Sequence, residues 1–446
     1  MSSIKQLAIK GTIWTVLGYG IGQILRFGTS LVLARLLSPN LFGLMALVTV
    51  FITGLNLFSD LGIAPSVIRS QRNEDPAFVN TAWTVQVVRS GGIWVCCWIL
   101  AWPVSHFYQE PQLLWLFPIV GLNSFIHGFY STGLYLLNRQ LSVKQIALYE
   151  LTGQLVFAVV TITWAYFNKS IWALLAGSFA SSIYQLVRSH QINPGKPNRF
   201  AWDASAIQEI ISFGRWIFLS TALTFMSSQS DRLVLGKLFP LELLGIYGIA
   251  FALAEMPKQV NDQLMNKVVF PTYTKFVELP RHEFRAKINY SRIPFLVAFA
   301  IGLGVLISCG DIVISTLYDK RYADAAWMLP ILAIGIWPTI LNGSLDAALF
   351  AIGNPRYIAY GCFWSAIFLI GGMILGFHWM GPFGAVIAVA ISNIPSYVVI
   401  MYGLWKEKLA CLYQDFWATV LLVAVVAFVT GIRILMGHPP VLLTLH

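Results

Sequence analysis

Three arginines, Arg26, Arg89 and Arg232, stand inside long apolar runs, where a charged side chain needs a reason. A guanidinium in hydrocarbon costs about 2.5–3.5 kcal/mol on insertion scales, so each must face a partner or a polar cavity. No acidic residue lies within a helical turn of Arg26 or Arg89. Two such groups on separate helices of one half point to a cation-lined cavity. Guanidinium pairs with phosphate through a two-pronged fork, so the matching chemistry is binding of a phosphate-type anion. Arg232 is a secondary candidate, because Asp231 is its neighbour; adjacent helical positions point apart, so each of these two needs its own partner. The acids placed to couple movement to an ion are Glu255, well inside its apolar run, with Asp231 and Asp60; Glu150 and Asp346 stand near the ends of theirs. Gln23, Gln86, Asn123 and Gln154 either line the same space or bond between helices.

Other chemistries lack their residues. There is no GxxxxGK[ST] phosphate loop, no HExxH and no GxSxG. The seven histidines are dispersed, and the five cysteines (Cys96, Cys97, Cys309, Cys362, Cys411) have no metal or redox spacing, so packing is their expected role. No cofactor or metal is expected. A membrane-embedded polymerase or glycosyltransferase would want a large external loop with charged groups, and the loops here are short.

The elements that must hold these residues follow from composition. Of 446 residues, 57% are hydrophobic and 11% charged, against about 25% charged in soluble proteins. The apolar runs are long and continuous, which excludes disorder and the alternation of a β-barrel. An all-α polytopic membrane protein remains. Thirteen spans are expected: Thr12–Leu33, Leu41–Ile63, Thr81–Val104, Leu113–Leu137, Gln145–Phe167, Ile171–Val187, Phe213–Leu235, Leu243–Val260, Ile293–Ile314, Ala325–Phe350, Ile358–His378, Phe383–Tyr402 and Phe416–Leu435. With the amino terminus in the cytoplasm, most of the 29 Lys and Arg residues fall in loops on that side, Arg292 among them, while Arg433 falls on the other. The net charge of +10 is therefore read as membrane orientation, and nucleic acid is not an expected partner. Ser2–Lys10 is amphipathic and suits a helix lying on the inner leaflet. Asp262–Asn289 reads as a basic surface segment facing anionic lipid, broken at Pro271 and Pro280.

The chain also repeats itself. LVLARLLSPNLFGL at Leu31–Leu44 matches LVLGKLFPLELLGI at Leu233–Ile246 without gaps, and at the same offset Trp14 meets Trp216 and Asp60 meets Asp262. Six spans separate the copies, so the halves run parallel. The expected organisation is a lobe of six helices over residues 1–190, a cytoplasmic linker over 191–205, a second six-helix lobe over 206–404, and one further helix with a tail over 405–446. The lobes would surround a central cavity. Pro118, Pro330, Pro338 and Pro395 interrupt apolar runs, and Gly18/Gly22 and Gly372/Gly376 have the spacing of close helix contacts.

Three stretches then resemble a known family. FGTSLVLARLLSPNLFGLMALVTVFITGLNLFSDLGIAPSVIR, SDRLVLGKLFPLELLGIYGIAFALAEMP and LYDKRYADAAWMLPILAIG followed by ALFAIGNPRY are similar, in that order, to bacterial polysaccharide transporters, the oligosaccharide-lipid flippases. That family shares a superfamily with multidrug and toxin extrusion antiporters and lipid II flippases. The resemblance implies two six-helix lobes around a central cavity. It also implies transfer of undecaprenyl-pyrophosphate-linked sugar units from the inner to the outer leaflet of the bacterial cytoplasmic membrane. Arg26, Arg89 and Arg232 would then meet the pyrophosphate. The implied partners are the lipid-linked oligosaccharide, membrane lipids, and polymerase and chain-length proteins; protons, sodium or the membrane potential are the candidate driving forces. One extra helix is expected here where the family often has two. A multidrug antiporter is the alternative, but its cavity should be rich in acids, and the deepest charges here are mainly arginines.

Overall fold

The structure is a computed structural model. It describes residues 2–441 except 71, 73, 74, 141 and 196, and the side chains of these except 2–13, 15, 16, 69, 212–220, 223 and 224. Among the described residues it is all helical. The helices are α1 (Ser2–Leu36), α2 (Pro39–Phe58), α3 (Ile63–Arg69), α4 (Pro76–Tyr108), α5 (Leu113–Gly128), α6 (Gly133–Arg139), α7 (Val143–Phe167) and α8 (Ile171–Gln191). There follow α9 (Ala204–Leu238), α10 (Leu241–Leu264), α11 (Phe270–Thr274), α12 (Arg281–Leu317), α13 (Ala325–Ala351), α14 (Arg356–Ile391), α15 (Ile394–Lys406) and α16 (Leu412–Leu435). Among the described residues seven helical stretches are long and apolar enough to cross a membrane, and α5 with α6, bent by 59°, makes an eighth. The protein is a multi-pass membrane protein.

Each of the thirteen expected spans falls largely on helix, although Leu41–Ile63 runs past the end of α2 at Phe58 and Phe383–Tyr402 crosses the break between α14 and α15. One of the seven stretches, Arg356–Lys406, holds two of them. Within it Gly381 takes φ 61° and ψ −145° just before Pro382, a conformation that glycine adopts without steric cost. The chain folds back there: a Cβ at Gly376 would stand 2.5 Å from the carbonyl oxygen of Gly384, and one at Gly372 would stand 3.3 Å from Cβ of Ala388. The Gly372/Gly376 pair thus packs the two arms of one hairpin.

The repeat appears in the helix boundaries. Both α1 and α9 have 35 residues. Each is followed by a two-residue break and then by α2 or α10. The residues before those helices, Ser38 and Pro240, share extended ψ values of 151° and 149°. Leu37 N–H bonds to the Leu33 carbonyl and Phe239 N–H to that of Leu235, at 2.8 and 2.7 Å. The side chain of Trp216, and the two faces of Ser2–Lys10, lie outside the described residues; the backbone of Ser2–Lys10 is the first part of α1.

The chain forms two compact units, Met1–Phe225 and Met226–His446, and α9 runs from one into the other. The polar stretch before α9 is strapped onto the first unit. Arg199, Ala201 and Asp203 donate backbone N–H groups to Asn80, Thr84 and Thr81 at 3.0, 3.0 and 3.1 Å, and Asn198 bonds Thr132 at 2.7 Å. Arg72 adds bonds to Asp203 and Ser205 at 2.8 and 2.9 Å. The first turns of α9 continue the attachment, with Ala206 and Ile210 buried against Ile63, Val67, Phe78 and Ala82.

Two local expectations need correction. The span Leu113–Leu137 is broken near Phe129–Thr132, away from Pro118. The carbonyls freed at the break are satisfied by Gln86, whose Nε2 donates to Gly128 and Tyr130 at 2.9 and 3.1 Å; Gln86 is used in structure and is not a cavity group. In the basic segment Asp262–Asn289, Val268 and Phe270 are exposed, as on a surface segment, but much of the apolar side is turned inward. Met265, Val269, Tyr273, Phe284 and Ile288 are buried in one cluster with Leu345, Tyr357, Leu404 and Cys411. Pro271 falls in a continuous helical run, just after the π-helical turn Met265–Val269 that leads into α11, while Pro280 precedes α12, where a missing N–H costs no helical bond.

Candidate functional site

Arg26 is placed by the way α1 meets α7. A Cβ at Gly18 would stand 3.0 Å from Cβ of Ala147, and one at Gly22 would stand 3.1 Å from Oε1 of Gln154, so this glycine pair sets the contact. Leu17, Ile21 and Ile24 form an exposed apolar stripe on another side, Ile24 being 73% exposed. At about 100° per residue, Arg26 falls opposite that stripe and in line with Tyr19, Gln23 and Ser30. Nε2 of Gln23 bonds to the Tyr19 hydroxyl at 3.3 Å. Arg26 itself is exposed, and it makes no hydrogen bond or ion pair among the described residues. It is an exposed cation on a polar helix face.

Arg89, on α4, is half-buried and held. Its Nε donates to Ser59 Oγ at 3.0 Å and its Nη2 to the Asn56 carbonyl at 2.6 Å. Both acceptors lie at the carboxyl end of α2, the negative end of that helix dipole. Asp60 is near enough to attract the guanidinium, and its Oδ1 accepts the N–H of Gly62 at 2.9 Å. The expectation of an unpaired Arg89 is therefore corrected: its partners come from α2, which no local spacing in the sequence reveals. Asp60 is its counter-charge.

The other expected residues lie in the second unit. The Arg232 guanidinium sits 5.8 Å from the centre of the Phe251 ring, a cation–π contact. Asp231 is buried and accepts the Tyr247 hydroxyl at 2.7 Å. Glu255 accepts from Lys258 at 2.9 Å. It is thus neutralised one turn along its own helix, and it is not the free internal acid expected; the three-residue spacing was the available signal.

Two further arginines were placed in loops and are instead internal. Arg292, 1% exposed, donates to Asp415 and Ser344, both at 2.7 Å, and Asp415 accepts the Tyr397 hydroxyl at 2.8 Å. Arg433 forms a two-pronged bond to Asp311 at 2.7 and 2.8 Å and also donates to the Ser308 carbonyl. These pairs join α12 to the extra helix α16 near both of its ends. Both guanidinium groups are paired with a carboxylate, and only Nε of Arg433 has no acceptor among the described residues.

Residues 32–327 match the family described as polysaccharide biosynthesis protein. The chain belongs to that family. Curated relatives include the succinoglycan biosynthesis transport protein ExoT of Rhizobium meliloti, 23% identical over 85% of this chain and 78% of that protein. The lipopolysaccharide biosynthesis protein WzxC of Escherichia coli is 20% identical over 93% and 84%, and the teichuronic acid biosynthesis protein TuaB of Bacillus subtilis 22% over 98% and 91%. Among solved structures, a lipid II flippase MurJ in an inward closed conformation superposes with a TM-score of 0.73 at 12% identity, over 95% of this chain and 93% of that one. An inward-facing multidrug resistance MATE family transporter gives 0.57 at 13%, over 91% and 95%. This member of the polysaccharide biosynthesis protein family therefore has the all-helical fold of those transporters.

Proposed function

We propose that this protein carries undecaprenyl-pyrophosphate-linked oligosaccharide from the inner to the outer leaflet of the bacterial cytoplasmic membrane, with its amino terminus in the cytoplasm. The observation that carries the proposal is Arg26: an exposed guanidinium within an apolar run of the sequence, on a polar helix face, with no partner among the described residues. The lipid tail of such a cargo stays in the bilayer, while its pyrophosphate and sugars need a polar, cationic path. Arg26 supplies a free fork for the phosphate. Arg89, already shared with α2, supplies field and position, and Arg232 is the candidate of the second unit. Relatives named for succinoglycan, lipopolysaccharide and teichuronic acid synthesis support a saccharide cargo, and the lipid II flippase fold supports a lipid-linked one. Transport proceeds by alternating access of the two repeat units, delivering cargo to polymerase and chain-length proteins at the outer face.

The test is binding to purified protein of undecaprenyl pyrophosphate, undecaprenol and a cationic dye. The proposal expects saturable binding of the pyrophosphate alone, lost in Arg26→Ala. Binding of the dye without the pyrophosphate would favour a multidrug antiporter.

A further inference from the structure

A cavity of about 470 Å³ lies between the amino-terminal parts of α12 and α16 in the second unit. Further along, the two helices touch: a Cβ at Gly304 would stand 2.7 Å from Cγ1 of Val425. The lining of the cavity changes character along its length. At one end are Arg285, Asn289 and Gln414; at the other are Ile293, Val297, Trp417 and Leu421, over a floor of buried Leu296 and Ala418. The change falls at one level on both helices, because Nε2 of Gln414 donates to the Asn289 carbonyl at 2.8 Å. The expected spans Ile293–Ile314 and Phe416–Leu435 begin at that same level.

The polar end is cationic. Arg285 is exposed and makes no hydrogen bond or ion pair among the described residues. No acid lines the cavity among those residues: Asp415 is turned inward onto Arg292, and Glu407 is shared by Arg281 at 3.5 Å and Asn354 at 3.0 Å. The start of α12 and the turn before α16 add Lys287, Lys406 and Lys408 against the one further acid, Glu283. The amino terminus of α16 is at this end as well, with Cys411 and Tyr413 in the lining, so the positive end of its dipole strengthens the field. The apolar end is open: Ile293, Val297 and Trp417 are all exposed. Tyr413 and Trp417, with ring centres 6.1 Å apart, set two aromatic groups beside the change from polar to apolar, where such side chains gather at a membrane interface.

We propose that one anionic phospholipid of the inner leaflet, of the phosphatidylglycerol type, binds between α12 and α16. Its phosphate meets the free guanidinium fork of Arg285. One acyl chain lies along Ile293, Val297, Trp417 and Leu421. A groove with a cationic polar end and an exposed apolar end is complementary to such an amphiphile in both charge and polarity, and a zwitterionic lipid matches only the apolar half. The bound lipid braces the inner end of the extra helix α16 beside the Arg292–Asp415 pair. The choice of leaflet rests on the orientation proposed above; the existence of the site does not rest on transport.

The experiment uses full-length purified protein in phosphatidylcholine nanodiscs, without cargo, and a trace of phosphatidylglycerol carrying a photoreactive group in mid-chain. Crosslinks should map to residues 293–297 and 417–421 and be displaced by unlabelled phosphatidylglycerol. Labelling should be about fivefold weaker in Arg285→Ala and partly restored in Arg285→Lys. It should be lost in Leu421→Trp, which fills the apolar end and leaves Arg285 in place. Should Arg285→Ala fail to fold, Leu421→Trp and the comparison with a phosphatidylcholine probe carry the test. Equal labelling by that probe, or labelling unchanged in a folded variant, overturns the site. Labelling confined to the carboxyl-terminal halves of α12 and α16 overturns it as well. So does stronger displacement by undecaprenyl pyrophosphate than by phosphatidylglycerol at equal concentration, which would give the groove to cargo. Specific labelling of a protein that moves no lipid-linked glycan would leave the site standing and refute the transport reading.

Discussion

Arg26 and Arg89 belong to the same expected cavity, yet the structure predicts opposite behaviour on truncation. Arg89→Ala removes two bonds donated by a charged group, to Ser59 and to the Asn56 carbonyl. Bonds to charged groups contribute about 1.5–3 kcal/mol each when buried. Arg89 is only half-buried and Ser59 retains its bond to the Leu55 carbonyl, so the net loss should be about 1–3 kcal/mol. Arg26→Ala removes nothing of this kind and should stay within about 0.5 kcal/mol. Its effect belongs to cargo: loss of a guanidinium–phosphate contact worth about 2–3 kcal/mol weakens pyrophosphate binding roughly 30- to 150-fold. The assays are unfolding in mixed detergent, followed by tryptophan fluorescence, and glycan export in cells at matched protein levels. Arg26→Lys should recover part of the export, since the charge remains and the fork is lost. If Arg26→Ala destabilises the protein as much as Arg89→Ala, Arg26 is a packing residue and the reasoning fails.

Three other outcomes are expected. Asp415→Ala leaves Arg292 charged in the interior and should cost about 3–5 kcal/mol, while Arg292→Met combined with Asp415→Leu recovers most of it; equal losses in single and double variants would contradict the ion-pair account. The Arg72 guanidinium and the bonds from Ser205 hold the Asp203 carboxyl down at about 2, below its ordinary value of about 3.9. The contribution of this contact is present above pH ~4 and is lost as pH falls through about 2, so proteolysis near Gly195 should rise in that window and Asp203→Asn should show the same rise at neutral pH. With Cys96 replaced by serine, cysteines at Gly195 and Pro280 should resist labelling from outside intact cells and one at Pro111 should react; labelling at Pro280 would reverse the orientation.

Much of the scaffold was legible because hydrocarbon imposes a length and a polarity on every helix. Even the return at Gly381–Pro382 fell between the two expected spans, although its positive φ was not foreseen. The repeat was readable because its two copies, Leu31–Leu44 and Leu233–Ile246, keep the same buried positions: Leu33 and Leu235, Leu44 and Ile246. What stayed hidden was which helix faces meet. Arg292 and Arg433 looked like loop charges because they lie near span ends; their acids are 123 and 122 residues away in sequence. The signal was Asp311 and Asp415, two acids inside or beside apolar runs that each needed a cation. Gln86 could not be assigned from sequence, since its acceptors exist only because α5 and α6 break apart.

The central claim is that the protein moves a lipid-linked glycan through a path that includes Arg26. Its most direct test is reconstitution of purified protein into liposomes carrying an undecaprenyl-pyrophosphate oligosaccharide, with a membrane-impermeant glycosidase reporting how much cargo reaches the far leaflet. Wild type should expose cargo well above empty liposomes, and Arg26→Ala, reconstituted at equal density, should fall to the empty-liposome level. Equal exposure by wild type and Arg26→Ala, or none by wild type in the presence of sodium and proton gradients, would contradict it.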